Sequence, residues 1–128
     1  MSKKGHPTPG NGKICYLEIP ADDISVSASF YTKVFGWETR HRSDGHLAFD
    51  DAVGEVSGTW VKNRKPSTEA GLLIYIMVAD INLALELIKS HGGIIVQPVG
   101  MDAPELTARF RDPAGNVLGL YQEPIQQS

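Results

Sequence analysis

The segment Glu18–Trp37, which reads EIPADDISVSASFYTKVFGW, predicts a β-strand followed at once by a helix. The strand comprises residues 13–19, where β-branched and aromatic side chains are frequent, and it stops at Pro20. Asp22 and Asp23 come next, and either carboxylate can cap the first turn of a helix. The segment therefore begins as a strand and turns into a helix within a few residues.

The apolar residues after this cap recur at the spacing of one helix face. They are Ile24, Ala28, Tyr31 and Phe35. This period is typical of an amphipathic helix, and Gly36 supplies the stop because glycine readily adopts the left-handed conformation that ends helices. We therefore predict a helix between Asp23 and Gly36.

The same plan returns in the second half of the chain. Asp23-Ile24 corresponds to Asp80-Ile81 and Gly36 to Gly93, each at an offset of about 57 residues. The second helix has a clean apolar stripe at i, i+3, i+4 and i+7, made by Ile81, Ala84, Leu85 and Ile88. The internal repeat indicates two structurally equivalent modules.

Three predicted strands follow each helix. They are residues 37–42, 46–49 and 56–62 in the first half, and 94–98, 105–111 and 117–122 in the second. Residues 72–78 (LLIYIMV) form a near-continuous apolar run, typical of a strand buried on both faces or nearly so. The last two strands are joined by the turn Asp112–Asn116, in which Pro fixes φ and Gly or Asn tolerates a positive φ.

The sequence therefore predicts an α+β fold made of two βαβββ modules. The modules span residues 13–62 and 71–124, with an exposed linker over 63–70, a flexible tail over 1–12 and a short tail over 125–128. Two such modules can leave a cleft lined by strands from both, within one chain or across a dimer.

Composition narrows the class of protein further. The 128 residues are 41% hydrophobic and 21% charged, with a net charge of −3, which is typical of one globular domain and disfavours a nucleic-acid partner. No apolar run is long enough to span a bilayer, and no apolar stretch follows the first lysines as in a signal peptide. We expect a cytoplasmic protein whose one cysteine, Cys15, packs against a helix as core filler.

Four segments together resemble the vicinal oxygen chelate superfamily, which contains glyoxalases, bleomycin-resistance proteins and ring-cleaving dioxygenases. They are Glu18–Trp37, Val78–Ile81, His91–Gly93 and Phe110–Tyr121, and the resemblance runs from about residue 13 to 124. It implies two paired βαβββ modules around a cleft, and a homodimer as the commoner assembly for chains this short. The same fold hosts metal-dependent lyases, isomerases and dioxygenases as well as metal-free drug-binding proteins.

The resemblance also implies where a metal would be bound. Metal-using members place His, Gln and Glu on the inner faces of four strands, because divalent cations prefer imidazole nitrogen and carboxylate oxygen. Carried over onto this chain, those positions fall on or near Tyr16, Gly58, Leu73 and Gly119, which cannot make this site. We therefore predict no metal and no other cofactor, so that a divalent metal would need a displaced site.

The vacated cleft is predicted to be aromatic, apolar and roomy. Its candidate ligand-binding residues are Tyr16, Glu18, Gly58, Trp60, Tyr75, Met77, Arg109, Gly119 and Tyr121. Gly58 and Gly119 would widen its floor, and Phe110 is an alternative to Arg109. By strand alternation, Glu18 shares a face with Tyr16, where it is either a lone carboxylate in the cleft, a partner of Arg109, or solvated.

Three functions follow, in order of preference. The first is a metal-free binder of a small apolar or aromatic molecule, similar to the bleomycin-resistance branch. The second is a lyase, isomerase or dioxygenase that uses a displaced metal, or Glu18 with Tyr16 or Tyr75 in acid–base chemistry. The third is an interaction module with a closed cleft. His41 and His46, which flank a turn, and His91, at a helix end, are read as structural.

Overall fold

The computed structural model describes residues 7–123 and divides into two compact units after Lys65, inside the predicted linker. Each unit is described by itself below. Residues 1–6 of the predicted N-terminal tail, the whole predicted C-terminal tail over 125–128, and residue 124 lie outside the described residues. Within the described part of the chain, no helix has the length and apolar character needed to cross a membrane.

Each unit contains one helix and one four-stranded sheet in the order βαβββ. Unit 1 contains β1 (Tyr16–Pro20), α1 (Ile24–Phe35), β2 (Glu38–His41), β3 (Leu47–Asp50) and β4 (Ser57–Val61). Unit 2 contains β5 (Tyr75–Val78), α2 (Ile81–Ser90), β6 (Ile94–Gln97), β7 (Leu106–Arg111) and β8 (Val117–Gln122). The predicted α+β class with two βαβββ modules is confirmed.

The two sheets have the same strand order. In unit 1 it is β1-β4-β3-β2 and in unit 2 it is β5-β8-β7-β6, so the first and last strands of each unit are neighbours. These neighbours pair in parallel, and the remaining pairs are antiparallel. A parallel pair needs a crossover connection, and in each unit the helix and the two other strands supply it, since they lie in sequence between the edge strand and its parallel neighbour.

Both helices begin at the predicted aspartates. Asp23 caps α1, where its Oδ1 accepts a hydrogen bond from the Val26 N–H at 3.3 Å. Hydrogen bonds from the Ser25 hydroxyl and this N–H lower the pKa of Asp23. Asp80 caps α2 in the same way through Leu83, at 3.1 Å. Gly36 ends α1 with a φ of 74°, as predicted for a left-handed stop.

The core of unit 1 is a chain of aromatic rings between α1 and its sheet. Tyr31 stacks on Trp37 and Trp37 stacks on Phe49, both with ring centroids 4.6 Å apart. Phe49 in turn contacts Trp60 at 4.8 Å. These four side chains are buried, so aromatic stacking holds α1 against the sheet.

The core of unit 2 is mostly aliphatic. Three of the four predicted stripe residues of α2 are buried, and Leu85 is half-buried. The sheet contributes buried Ala108, Phe110, Leu118 and Leu120. Phe110 therefore belongs to the core, which leaves Arg109 as the residue on the other side of β7.

Two expectations about burial were wrong. The run 72–78 is not buried on both faces, since Leu72 is 83% and Met77 67% exposed. Its strand, β5, is an edge strand that starts only at Tyr75, and α2 covers one side of the sheet. Cys15 is exposed rather than core filler, because it lies before β1 and beyond the layer that α1 covers.

Two segments predicted to be flexible or exposed make specific hydrogen bonds. In the tail, the Thr8 hydroxyl donates to Glu55 Oε2 at 2.9 Å. In the linker, the Ser67 N–H donates to Asn116 Oδ1 and the Ser67 carbonyl accepts from the Val117 N–H, both at 2.8 Å. The linker is thus hydrogen-bonded to the end of the turn that precedes β8.

An aspartate organises the turn before the last strand of each unit. In unit 2, buried Asp112 accepts hydrogen bonds at Oδ1 from the Ala114 N–H (3.0 Å) and the Asn116 N–H (2.9 Å). In unit 1, Asp51 Oδ1 accepts from the N–H groups of Glu55 and Val56. These turns fix where β4 and β8 begin.

Asp112→Ala is expected to lower the free energy of unfolding by about 1–3 kcal/mol, since it leaves buried amide donors without an acceptor. Chemical denaturation measures the loss. Glu69→Ala, an exposed substitution in the same unit, is the control and should stay within about 0.5 kcal/mol of the unsubstituted protein. Equal midpoints for the two variants would show that the turn does not depend on this carboxylate.

Candidate functional site

Each sheet has one side covered by its helix and one side without a helix, which we call the helix-free face. In unit 1, Tyr16 pairs with Ser57 and Glu18 with Thr59, so these four side chains share the helix-free face. The predicted common face of Tyr16 and Glu18 is therefore present. Ala48, which pairs with Thr59, continues this face onto β3.

Gly58 and Trp60 lie on the opposite side of the unit 1 sheet, which corrects their predicted position beside Tyr16. Trp60 contacts Tyr31 of α1, and a Cβ on Gly58 would meet the Phe49 ring. Gly58 therefore widens no pocket, because an aromatic ring already covers it. Neither residue shares the helix-free face by strand alternation.

Gly58 lies on the helix side because the turn before β4 is one residue longer than the turn before β8. The Asp51 N–H donates to the Val56 carbonyl, five residues on, whereas the Asp112 N–H donates to the Asn116 carbonyl, four residues on. Each residue of β4 is therefore displaced by one position relative to the residue of β8 that lies equally far from the aspartate of its turn. Thr59, not Gly58, is the structural counterpart of Gly119.

The helix-free face of unit 1 is polar, and its charges are paired within the unit. Arg40 donates from Nε and Nη2 to the two carboxylate oxygens of Asp50, at 2.9 and 3.1 Å, which raises the pKa of Arg40. The Ser57 hydroxyl donates to the same carboxylate at 2.7 Å. Arg42 donates to the Tyr16 hydroxyl at 3.3 Å and lies 3.1 Å from Asp44.

Glu18, the candidate catalytic residue, forms an ion pair that the sequence analysis did not anticipate. Its Oε1 accepts a hydrogen bond from Arg64 Nη1 at 2.7 Å, and its side chain is about half exposed. Arg64 belongs to the segment predicted as a linker. The partner of Glu18 is thus an arginine of its own unit and not Arg109, and the carboxylate has no buried, isolated environment that would prepare it for acid–base work.

The three histidines of the described residues lie at a turn, at a strand end and at a helix end. Nδ1 of His46 lies 3.2 Å from Asp44 Oδ1, and both side chains are exposed. The His46 N–H also donates to Asp44, which lowers the pKa of that carboxyl. His41 is an exposed residue at the end of β2, and His91 caps the end of α2.

In unit 2, all five predicted ligand-binding residues share the helix-free face. The pairs Tyr75–Gly119, Met77–Tyr121 and Arg109–Gly119 define this set by register. The side chains of Tyr75 and Met77 are 44% and 67% exposed. This face therefore presents aromatic rings and a thioether, whereas the corresponding face of unit 1 presents ion pairs.

A pocket of about 430 Å³ lies on the unit 2 face. It is lined by Tyr75, Met77, Glu105, Thr107 and Tyr121. The Glu123 carboxylate, as a hydrogen-bond partner of the phenol, raises the pKa of Tyr121, and burial and the charge of Glu105 add to the rise. The pocket thus offers two phenol rings, with the Glu105 carboxylate in its lining and the Glu123 carboxylate beside Tyr121.

Gly119 does not widen this pocket in the predicted way. A Cβ on Gly119 would lie 2.7 Å from Cδ2 and Cε2 of Tyr75, so the tyrosine ring covers the glycine. The absent side chain lets the ring lie flat on the strand. Gly119 therefore positions one wall of the pocket, and Tyr75 provides the surface.

Sequence reasoning missed three residues that belong to these faces. Thr59 was missed because the turn of unit 1 is one residue longer than that of unit 2. Thr107 follows from alternation, because it lies two residues before Arg109 on β7 and so faces the same side. Glu105 directly precedes β7, and alternation in the predicted strand 105–111 would have placed it on the same face as Arg109.

The positions that hold a metal in related folds do not fit one here. In unit 1 they carry Tyr16 and Thr59, and the Thr59 hydroxyl already donates to the Leu47 carbonyl at 2.6 Å. In unit 2 they carry Leu73, an aliphatic side chain, and Gly119, which has none. Among residues 7–123, no three His, Cys, Asp or Glu side chains lie close enough together to hold a metal ion.

Comparison with known proteins identifies the class. Residues 13–120 match the sequence profile of the Glyoxalase/Bleomycin resistance protein/Dioxygenase superfamily. The chain belongs to this superfamily, which confirms the resemblance found in the sequence.

Individual relatives cover nearly the whole chain. A glyoxylase-like domain-containing protein of Didymella fabae is 27% identical over 124 residues, with 89% of this chain and 96% of that protein aligned. A probable lactoylglutathione lyase of Vibrio parahaemolyticus is 29% identical, with 88% and 91% aligned. The crystal structure of TnmS3, an antibiotic binding protein from Streptomyces sp. CB03234, is 20% identical with a TM-score of 0.67, covering 91% of this chain and 99% of that one.

Gly58→Ala and Gly119→Ala are expected to differ in cost. At Gly58 the new methyl would overlap the Leu17 carbonyl and the buried Phe49 ring, so we expect a loss of about 3 kcal/mol or more. At Gly119 the half-exposed Tyr75 ring can move aside, so we expect a loss nearer to about 1 kcal/mol. Thermal denaturation ranks them, with Gly10→Ala, where nothing lies within 4 Å, as the neutral control. A reversed order would contradict the assignment of faces.

Proposed function

We propose that this protein binds a small apolar or aromatic molecule without a metal ion, and that the helix-free face of unit 2 supplies the main contacts. The observation that carries this proposal is the pocket formed by Tyr75, Met77, Thr107 and Tyr121. Its volume of about 430 Å³ falls in the range of small-molecule sites, roughly 300–1,000 Å³.

The chemistry of the lining favours a flat molecule. The two tyrosine rings offer faces for stacking, and the Met77 thioether adapts its shape to an apolar surface. The Tyr75 hydroxyl can add a directional hydrogen bond at the edge, whereas the hydroxyls of Thr107 and Tyr121 already bond to the carboxylates of Asp102 and Glu123. Such a site binds its ligand through buried contact area and a fixed orientation, and it needs no catalytic group.

The comparisons support a binding role. The superfamily description includes bleomycin resistance, and TnmS3, which has the same fold, is described as an antibiotic binding protein. The helix-free face of unit 1 supports the choice as well, because its charged groups already bind one another. Glu18 in particular is occupied by Arg64.

Assembly and location stay predictions. We expect a homodimer, as the superfamily resemblance implies, a cytoplasmic location, and no nucleic-acid partner because the net charge is −3.

Tyr75→Ala and Tyr121→Ala are each expected to weaken binding of a neutral flat probe, naphthalene carboxamide, about five- to tenfold. The reason is the loss of an aromatic contact worth about 1 kcal/mol beyond the buried area. Isothermal titration calorimetry measures the dissociation constants. Leu83→Ala removes an exposed apolar side chain from α2 and should leave binding unchanged. Absence of saturable binding to the unsubstituted protein would overturn the proposed function.

Elemental analysis of protein purified without a tag or chelator should find no tightly held metal, also after incubation with Ni, Zn, Mn and Fe(II). The expected result follows from the side chains at the four inherited positions, which are a phenol, a hydroxyl, an aliphatic chain and none at all in Tyr16, Thr59, Leu73 and Gly119. About one metal per chain would overturn the metal-free proposal and favour the second function, a lyase, isomerase or dioxygenase with a displaced site. Glu18→Gln would then test whether the carboxylate takes part.

A further inference from the structure

Two arginines on the helix-free face of unit 2 have no hydrogen-bond or ion-pair partner in the part of the chain that the structure describes. Arg109 and Arg111 are both half-buried, and the Nε atom of each is fully buried without a hydrogen bond. Among residues 7–123, neither side chain forms an ion pair or a hydrogen bond. A buried donor without an acceptor is costly, so such a group in a folded protein calls for a partner.

The two guanidinium groups belong to one patch. Arg109 and Arg111 are two residues apart on β7, which places them on the same face with their Cα atoms about 6.6 Å apart. Their cross-strand partners on β8 are Gly119 and Val117, and those on β6 are Gln97 and Ile94. Gln97 and Thr107, which lie next to Arg109 on this face, both donate hydrogen bonds to the Asp102 carboxylate. Among residues 7–123, Asp102 forms no ion pair with either arginine, and the ion pair Lys89–Glu86 is on α2.

This arginine patch is continuous with the aromatic pocket. Arg109, Gly119 and Tyr75 form one row across the sheet, and the Tyr75 ring covers the glycine between them. Tyr75 is therefore shared by the pocket and the row that contains Arg109. The rim carboxylate, Glu105, lies four residues from Arg109 along the chain, about 13 Å in an extended backbone.

We propose that Arg109 and Arg111 bind the carboxylate of an aromatic acid whose ring system lies in the pocket of Tyr75, Met77 and Tyr121. This inference rests on the proposed function and adds the chemical class of the ligand. Guanidinium groups recognise carboxylates through paired, charge-assisted hydrogen bonds, which would satisfy the donors that the protein leaves open. Repulsion from Glu105 orients the carboxylate toward the arginines.

The test compares naphthalene carboxylate with naphthalene carboxamide, which has the same ring system without the charge. We expect the carboxylate to bind the unsubstituted protein about tenfold tighter or more by calorimetry, since hydrogen bonds to a charged group are the stronger class. Arg109→Gln and Arg111→Gln should each reduce the preference for the carboxylate over the carboxamide to about twofold or less. Lys89→Gln removes one positive charge from α2 and should leave the preference intact.

A second measurement needs no variant. Carboxylate binding to the unsubstituted protein should weaken as NaCl is raised, while carboxamide binding should not. Equal affinity for the two probes would overturn this inference and leave the proposed function standing, whereas failure of both probes to bind would overturn both. If the arginine variants instead change the sedimenting mass and not the probe preference, the patch is a subunit contact and the inference is wrong.

Discussion

The parallel pairing of the first and last strand in each unit determines what the rest of the structure can do. Side chains alternate along a strand, so the register between β1 and β4, or β5 and β8, decides which residues face the helix and which do not. A shift of one residue would exchange Trp60 with Thr59 and expose the aromatic core. The turns built on Asp51 and Asp112 hold this register, because they set the first residue of the last strand.

The same architecture supports two different surfaces in the two units. In unit 1 the arginines and carboxylates of the helix-free face pair with one another. A pocket of about 410 Å³ lies there too, with a more polar lining than the pocket of unit 2, formed by Tyr16, Glu18, Arg40, Arg42 and Ala48. In unit 2 the face combines tyrosine rings with Arg109 and Arg111, which form no ion pair with any residue among 7–123. An internal repeat preserves the fold through its helix-side residues, and the opposite sides of the sheets are free to diverge.

The sequence alone predicted the parts of the fold that depend on local chemistry. Both aspartate caps, the glycine stop of α1 and the order of elements follow from short patterns with direct physical causes. The position of Gly58 could not be predicted, because it depends on a turn one residue longer than its counterpart. The pairing of Glu18 with Arg64 was also beyond reach, since it joins residues far apart in sequence and only the packed unit brings them together.

The aromatic core of unit 1 provides an intrinsic fluorescence signal for the folding of that unit. Both tryptophans of the chain, Trp37 and Trp60, lie in that core, so indole fluorescence reports on unit 1 alone. The Trp60 indole nitrogen is buried without a hydrogen-bond partner, an environment that shifts emission to the blue until the unit opens. Circular dichroism reads the strands and helices of both units. Unfolding curves that coincide for the two signals would describe one cooperative domain, and separate curves would give each half of the repeat a stability of its own.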